Sequence, residues 1–490
     1  MQSQTRPPQA EPATARGAHP LEPLFHPRTI AVVGASPEGN AGYEFVRKIQ
    51  AYGFKGRIYP VNPKGEPVLG LPGYPSISAI PDEVDFVIFA SPAATVPAAM
   101  EECAAKGVKL AHLFTARLSE TGVPELAALE RRIVEIARRG GVRILGSNGM
   151  GLYYPKEGIS FRANYPKEPG DVAFLSQSGG NAWEFVYRAA LRGLRFSKVI
   201  SYGNACDLNE ADYLEYLAED PETRVITAYI EGVRSGRRFV EALKRAAQAK
   251  PVVILKGGRT GAGARATASH TASLAGDHQV WEGLLRQAGA LGAESLEELQ
   301  DLAVALRFFP KPRGRRVAAL GGGGGGSVAA ADACDEAGFV LPRLPRDIVE
   351  ELKQLIPATW MMISNPIDNS AIGNPRATSR LQELAFRHEA FDFVLLELGV
   401  DAAYEDDRGV ERTHQTVGRL IELQRETGRP TAFIVRSGDA GEEWRRNAVN
   451  RDREMLVQAG LPVFPDMRRA TRALGRVLRY WEERDNETAS

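Results

Sequence analysis

His270 is the residue in this sequence whose setting most favours covalent chemistry. It lies in "LKGGRTGAGARATASHTASLAG" (255–276), a stretch of small residues that precedes a helical pattern. The small neighbours leave the imidazole sterically open, and an imidazole can accept a phosphoryl group, which divides one difficult transfer into two easier steps. A single loop histidine is also often a hydrogen-bonded bystander, so the residue alone leaves both interpretations open.

Three glycine-containing turns could bind an anion beside such a group. They are "VVGASPEGNAG" (32–42), "FLSQSGGN" (174–181) and "GGGGGGS" (321–327). A turn from a strand into a helix presents unpaired N–H groups at the positive end of the helix dipole, and the second turn adds the hydroxyls of Ser176 and Ser178. Six consecutive glycines are also typical of a flexible linker, so the third turn keeps that alternative.

The first turn differs from a nicotinamide-dinucleotide site. Ser36 stands where the second glycine of G-x-G-x-x-G would be, and Asn62 and Lys64 replace the acid expected after the second strand. A nicotinamide cofactor is therefore disfavoured. The turn still suits a phosphate and Lys64 adds positive charge, although an ordinary strand-to-helix turn remains an alternative.

The elements that position these residues alternate between apolar β-branched runs and helical patterns, which predicts an α/β fold with parallel sheets. Strands are expected at 29–34, 56–62, 84–90, 109–114 and 143–146, and further strands begin the segments 170–180, 225–232, 251–258, 315–327, 391–400 and 431–438. The sequence predicts a disordered tail over 1–21 and three α/β domains. Their boundaries are 22–152, 156–309 and 314–486.

Composition excludes several classes of protein. The 490 residues carry 61 Lys and Arg against 61 Asp and Glu, so a nucleic-acid binder is not expected. Three separated cysteines argue against a disulfide framework and a zinc site, and they favour a reducing cytosol. No uninterrupted apolar run is long enough to predict a membrane span.

The motifs together resemble the NDP-forming acyl-CoA synthetases, the superfamily that includes the succinyl-CoA synthetase alpha subunit. "SHTASLAG" is similar to the phosphohistidine loop S-H-T-G-[AS]-L-A-G of that superfamily. "YPVNPK", "GSNGMGL", "SQSGG", "YIEGV", "RRVAALGGGGGG" and "NPID" resemble its further motifs in the same order, over about residues 22–485. The resemblance implies a Rossmann-like CoA-binding domain followed by two flavodoxin-like ligase domains.

The resemblance also implies the roles of individual residues. His270 would accept the phosphoryl group and Glu231 would orient its imidazole. The groups expected to bind phosphate are Ser176, Ser178, Gly179, Gly180, Gly323, Gly324, Gly325, Gly326 and Ser327. The groups expected to bind CoA are Gly34, Ala35, Ser36, Asn62, Lys64, Ser91, Pro92 and Asn148. No metal ligand is expected in the chain.

In the resembling enzymes, two helices direct their N-termini at the phosphohistidine. The glycine run would begin the second of them, since an apolar strand precedes it and an Ala-rich helical segment follows it, with Gly338 as a C-cap. The resemblance thus favours a phosphate-facing helix start over a linker.

Three residues depart from the family pattern. Ser147 and Gly149 replace the usual Pro and Cys of the G-P-N-C loop, and Ala272 replaces a Gly beside the histidine. One hypothesis is that Gly149, with Tyr153, Tyr154 and Trp183, admits a bulky or aromatic acid.

The function that the resemblance implies is that of the alpha subunit of an acid–thiol ligase, which interconverts acyl-CoA, phosphate and ADP with acid, CoA and ATP. No ATP-grasp domain is recognisable in the sequence, so a separate beta-type subunit is expected to hold ATP or ADP and Mg²⁺ in a hetero-oligomer. The alternative is a regulatory protein that binds CoA or acyl-CoA without catalysis.

Overall fold

Mostly parallel strands form three separate sheets in the computed structural model, which describes residues 19–263, 265, 278–398, 407–436 and 442–489. Within these residues, the strands are almost entirely buried, which explains why apolar runs rather than alternating patterns predicted them. The predicted α/β class with three parallel-sheet domains is confirmed.

The first sheet has the order β2-β1-β3-β4-β5 and is parallel throughout. Its strands are β1 (Thr29–Val33), β2 (Arg57–Val61), β3 (Phe86–Phe89), β4 (Leu110–Leu113) and β5 (Arg143–Gly146). The helices of this part are α1 (Glu22–Phe25), α2 (Ala41–Tyr52), α3 (Val96–Lys106) and α4 (Pro124–Arg139). All five strands lie where the sequence predicted them.

The second sheet has the order β11-β10-β9-β7-β8-β6. Its strands are β6 (Gly151–Tyr153), β7 (Val172–Ser176), β8 (Phe196–Ser201), β9 (Val225–Ile230), β10 (Val252–Lys256) and β11 (Leu291–Ala293). The helices are α5 (Gly179–Ala190), α6 (Glu210–Glu219), α7 (Gly236–Ala249), α8 (His278–Gln287) and α9 (Leu296–Phe308). The edge strand β6 is antiparallel to β8, and the sequence predicted neither of these two strands.

The third sheet has the order β12-β13-β14-β15 and is parallel. Its strands are β12 (Val317–Leu320), β13 (Phe393–Leu398), β14 (Thr431–Val435) and β15 (Val463–Phe464). The helices are α10 (Gly324–Glu336), α11 (Arg346–Leu355), α12 (Asn369–Ile372), α13 (Pro375–Arg387), α14 (Asp407–Thr427), α15 (Glu443–Gln458) and α16 (Met467–Ala489). None of the helices in the described ranges is long and apolar enough to span a bilayer.

Two boundaries differ from the sequence-based expectation. Residues 151 and 152, placed with the first domain, lie in β6 of the second sheet, because Gly151 and Leu152 pair with Ser201 and Ile200. Of the expected tail over 1–21, residues 1–18 lie outside the described residues. Leu21 is buried in the core, so the expected tail does not extend to residue 21.

A buried ion-pair cluster joins the second and third domains. Asp301 of α9 is almost fully buried, and its carboxylate pairs with Arg192 at 2.6 Å and with Arg469 of α16 at 2.7 Å. Arg192 also donates to the carbonyl of Val463 at 3.0 Å. One carboxylate therefore neutralises cations from both sides of this interface.

Removal of that carboxylate should be costly, because it leaves the largely buried Arg192 without its anion. Asp301→Ala is expected to destabilise the chain by about 3 kcal/mol or more. The matched control is Asp485→Ala, whose carboxylate pairs with Lys311 at the surface and should contribute at most about 1 kcal/mol. Urea unfolding followed by circular dichroism measures both, and equal small shifts would contradict the interpretation.

Candidate functional site

A cleft of about 770 Å³ opens between the first and second domains. Strands in parallel sheets bring their carboxyl ends to one edge, where ligands of α/β proteins bind. The wall from the first domain includes the loops that follow β3 and β4, and the opposite wall includes the start of α5. Residues that line the cleft include Ser91, Pro92, Phe114, Asn148, Met150, Arg162, Gln177, Ser178, Gly179, Gly180 and Trp183.

The start of α5 is a capped turn directed at this cleft. Ser178 is the N-cap, and its hydroxyl accepts from the N–H of Asn181 at 3.3 Å. Ser176 is fully buried, and its hydroxyl donates to the carbonyl of Ser178 at 2.7 Å, so it shapes the turn. Gly179 and Gly180 begin the helix, where N–H groups have no carbonyl partner within the helix. These backbone donors can receive an anion.

Gln177 connects this helix start to Glu231. The side-chain oxygen of Gln177 accepts from the backbone N–H groups of Glu231 and Gly232, the second at 3.0 Å. The Tyr229 hydroxyl donates to the Glu231 carboxylate at 3.1 Å, and burial together with that carboxylate raises the pKa of Tyr229. Glu231 is itself only 3% exposed. Gln177 lies in the "SQSGGN" motif, but local sequence predicted no role for it.

Lys256, at the end of β10, binds the backbone of Glu231. The sequence predicted no role for this lysine. Its ammonium donates to the carbonyls of Glu231, at 2.8 Å, and Gly257. Burial lowers the pKa of Lys256. The segment that carries His270 follows this strand, but His270 lies outside the described residues, as does Ala272. The structure therefore describes the start of this segment, up to residue 263 and residue 265, and the buried carboxylate of Glu231.

The glycine run forms a turn and the first turn of a helix. After β12, Gly321 and Gly322 have φ of 113° and 72°, Gly323 is the N-cap, and α10 begins at Gly324. A Cβ at Gly321 would lie 2.2 Å from the carbonyl oxygen of Glu397. The prediction that this run lies between a strand and a helix is confirmed, and the flexible-linker alternative is wrong.

Carboxylates lie close to this second helix start. If Gly324 carried a Cβ, that atom would lie 3.5 Å from Oδ2 of Asp368. A Cβ on Gly322 would lie 3.6 Å from Oε2 of Glu397. Arg436 pairs with Glu397 at 2.8 Å. Gly338, with φ of 77°, follows the end of the helix as expected of a C-terminal glycine.

The first-domain turn is built around Gly34. Gly34 has φ of 88°, and a Cβ there would lie 2.7 Å from the carbonyl oxygen of Ala90. Ala35 is fully buried, and the Ser36 hydroxyl accepts from the N–H of Glu38 at 3.3 Å. Close backbone approach therefore requires the glycine, and the serine stabilises the turn.

The other predicted CoA residues divide into two groups. Ser91, Pro92 and Asn148 line the cleft together with the α5 start. Asn62 and Lys64 do not line it. The Asn62 side-chain NH₂ donates to the carbonyl of Glu66, and its side-chain oxygen accepts from the N–H of Glu66, both at 2.9 Å. The Lys64 ammonium lies 3.7 Å from the Glu66 carboxylate.

Two family models match the chain over these domains. One is described as a CoA binding domain, over residues 28–155, and the other as a succinyl-CoA ligase like flavodoxin domain, over residues 169–306. The alpha subunit of ADP-forming acetate–CoA ligase I from Pyrococcus furiosus is 35% identical over 480 residues, which cover 95% of this chain and 99% of that subunit. The chain belongs to the family of ADP-forming acyl-CoA synthetases.

Other members of the family differ in length. ADP-forming acetate–CoA ligase I of Archaeoglobus fulgidus is 37% identical over 464 residues, which are 94% of this chain but 64% of that relative. Among solved structures, the dinucleotide-forming acetyl-coenzyme A synthetase 1 of Ca. Korarchaeum cryptofilum, in complex with phosphate and ADP, matches with a TM-score of 0.80 and 32% identity. That match covers 95% of this chain and 98% of the other.

The structure corrects the placement of residues in the hypothesis that Gly149, Tyr153, Tyr154 and Trp183 together admit a bulky acid. A Cβ on Gly149 would lie 2.4 Å from the carbonyl oxygen of Ser201, so this position faces backbone and does not enlarge the cleft. Tyr153 and Tyr154 are fully buried and donate to the Pro166 carbonyl and the Glu222 carboxylate. Of the residues named in that hypothesis, only Gly149 and Trp183 line the cleft.

His112 holds the Gly149 loop in place. Its Nε2 lies 2.8 Å from the Gly149 carbonyl oxygen, and the ring packs edge-on against Phe45 and Phe114. Burial lowers the pKa of His112 to about 4, so the imidazole is neutral in the folded chain at pH 7 and donates to that carbonyl.

The glycine run predicts opposite effects of alanine at different positions. Gly325→Ala and Gly326→Ala should each stabilise α10, by up to about 1 kcal/mol, because a Cβ there meets nothing within 4 Å. Gly321→Ala should destabilise by more than about 1 kcal/mol, since it combines positive φ with a clash. Thermal unfolding measures the three variants, and equal tolerance of all three would contradict the helix start.

His112 predicts a loss of stability in acid. The unfolded chain protonates this residue below about pH 6.5, whereas the folded chain does so only near pH 4, so stability is lost as the pH falls through that interval. Between pH 7 and pH 5 the loss due to this residue should be about 2 kcal/mol. In His112→Gln, which can still donate to Gly149, urea unfolding should show a correspondingly smaller pH dependence. The same dependence in both proteins would contradict the assignment.

Proposed function

We propose that this chain is the alpha-type subunit of an ADP-forming acyl-CoA synthetase, an acid–thiol ligase that acts through a phosphohistidine at His270. The observation that carries the proposal is the connection of the cleft to Glu231. The α5 start lines the cleft, and the adjacent Gln177 holds the backbone of Glu231. Membership of the family and the names of its relatives support the proposal.

The proposed reaction begins with acyl-CoA and phosphate. A phosphate oxygen attacks the thioester carbonyl, the C–S bond breaks, and the proton lost by phosphate appears on the CoA thiol. A ring nitrogen of His270 attacks the phosphorus of the acyl phosphate, and the carboxylate leaves as the P–O bond to the acyl oxygen breaks. ADP then takes the phosphoryl group from the histidine to form ATP. Each step runs in reverse for acyl-CoA synthesis.

The chain supplies binding and orientation for these steps. The N–H groups of Gly179 and Gly180 hold oxygens of the phosphate, which carries close to two negative charges. Glu231 orients the imidazole by accepting from one ring nitrogen, which leaves the other as the nucleophile. Ser91, Pro92 and Asn148 hold CoA beside this centre, and the turn at Gly34 lets its backbone approach the nucleotide end.

The start of α10 is the second phosphate-binding group of this proposal. Gly323 to Gly326 contribute backbone N–H groups at a helix N-terminus. The hydroxyl oxygen of Ser327 is buried and, within the described residues, has no hydrogen-bond partner. A buried hydroxyl without a partner costs free energy, and a phosphate oxygen would supply the acceptor.

ATP or ADP, with Mg²⁺, is assigned to an ATP-grasp partner in a hetero-oligomer. The lengths of the relatives support this assignment. The chain spans 99% of a relative that is named as a separate alpha subunit, but it spans only 64% of a longer relative. The acid is a small carboxylic acid, in line with the relatives named as acetate–CoA ligases.

The proposal is tested by incubating the purified chain with acetyl-CoA and ³²P-phosphate. We expect an acid-labile, alkali-stable label on the protein that is absent in His270→Ala. The matched control is His278→Ala, which removes the next histidine, whose imidazole pairs with Glu282 at 3.2 Å, and should keep the label. Glu231→Gln should slow labelling by about a hundredfold, because the imidazole loses its orienting charge.

A label that persists in His270→Ala would contradict the phosphohistidine assignment. Absence of label in every variant, with acetyl-CoA and with other acyl-CoAs, would favour the regulatory CoA-binding alternative. In the opposite direction, ATP should label the chain only after addition of the partner, and labelling by ATP without it would contradict the division between subunits.

A further inference from the structure

Arg162 lies on the wall of the cleft formed by the second domain, in the segment between β6 and β7. Its guanidinium carbon lies 5.8 Å from the centre of the Trp183 ring, and Trp183 is 40% exposed and lines the same cleft. Stacking of a guanidinium on an aromatic ring uses the face of the cation, so its N–H groups remain available at the edges.

The charge of Arg162 has no anionic partner within the described part of the chain. No carboxylate there lies within ion-pair distance of it, and its Nε is buried without a hydrogen-bond partner. Other arginines of this domain differ, since Arg188 pairs with Glu184 at 3.1 Å and Arg195 with Glu168 at 3.5 Å. A buried donor without an acceptor costs free energy that a bound acceptor would recover.

The surroundings of Arg162 favour an anion as that acceptor. The positive end of the α5 dipole, at Ser178 and Gly179, lines the same cleft. Arg117 lines the cleft from the first domain and adds a second cation. A guanidinium presents paired donors that match two oxygens of one carboxylate or phosphate.

We propose that Arg162 binds an oxyanion in this cleft and that Trp183 is the positioning residue that supports its guanidinium. The oxyanion is the carboxylate of the acid or inorganic phosphate, which present the same paired oxygens. The inference deepens the proposed function, on which the identity of these two candidates rests.

The experiment measures binding without catalysis. Inorganic phosphate and acetate are titrated separately into the purified chain by calorimetry. The same titrations are followed by tryptophan fluorescence, and the part of the change that is lost in Trp183→Phe arises at the ring beside Arg162. In Arg162→Met the dissociation constant of at least one anion should rise about tenfold or more, because a charged hydrogen bond is lost. Arg162→Lys should recover only part of the affinity, since the ammonium lacks the paired donors.

The matched control is Arg188→Met, which removes a paired arginine of α5 that does not line the cleft and should leave both affinities unchanged. A rise in Arg162→Met for phosphate alone identifies phosphate as the anion, and a rise for acetate alone identifies the acid. Unchanged affinities in Arg162→Met with an intact circular dichroism spectrum would overturn the proposal. Absence of binding of either anion to the wild-type chain would overturn it as well.

The two proposals fail separately. Anion binding needs neither the phosphohistidine nor a partner, so calorimetry on the wild-type chain and on Arg162→Met is independent of whether the chain is labelled. Loss of labelling chemistry with normal anion binding would therefore count against the proposed function alone. Normal labelling with unchanged anion binding in Arg162→Met would count against the role of Arg162 alone.

Discussion

The cleft depends on backbone hydrogen bonds that join the edge of the first sheet to the second domain. N–H groups in the segment 204–208, which follows β8, donate to the carbonyls of Ile144, Gly146 and Ser147 at 3.1, 2.8 and 2.8 Å. Only residues 147–150 separate the end of β5 from the start of β6 in the other sheet. Because the edge of β5 is paired and the connection is short, the two walls of the cleft have a fixed spacing near this seam. Groups on the two sheets can then act on one ligand.

Side chains buried at this seam reinforce the backbone pairing. The Ser147 hydroxyl donates to the buried carboxylate of Glu130, and the Asn204 amide donates to the Ser147 hydroxyl at 3.0 Å. The serine that replaces the usual proline of the family thus has a structural partner of its own. Burial raises the pKa of the Cys206 thiol, which disfavours its reactive thiolate form despite its position at the seam.

Much of the fold could be predicted because buried parallel strands produce apolar runs, as in "VAFLS" and "VVILK". The strand β8, "FSKVIS", was missed because Lys198 and two serines interrupt its pattern. That lysine is buried only because Asp220 and Glu222 each pair with it at 2.9 Å, which local sequence does not reveal. The antiparallel strand β6 has three residues and offers no period to recognise.

The parts of the site that could be predicted are those built from residues adjacent in sequence. Turns from strand to helix are encoded by adjacent residues, so the starts of α5 and α10 could be located. The environment of Gly149 depends on the approach of residues 201–203, which are distant in sequence, so the sequence could not show that a side chain at this position would meet backbone. Gln177 and Lys256 were missed for the same reason, since their roles arise only when β9 lies between β7 and β10.

The two helix starts are not equivalent as anion sites. The start of α5 has a serine cap, lines the cleft, and shares it with Arg162. The start of α10 has no side-chain cap, and the carboxylates of Asp368 and Glu397 lie near its glycines. Like charges at such short range repel, and Arg436 pairs with Glu397. In the proposed function, a phosphate dianion would therefore gain more at α5, and α10 would contribute through its backbone donors and Ser327. The absence of side chains over Gly323–Gly326 suits that proposed contribution, because it would let an anion approach the backbone donors closely.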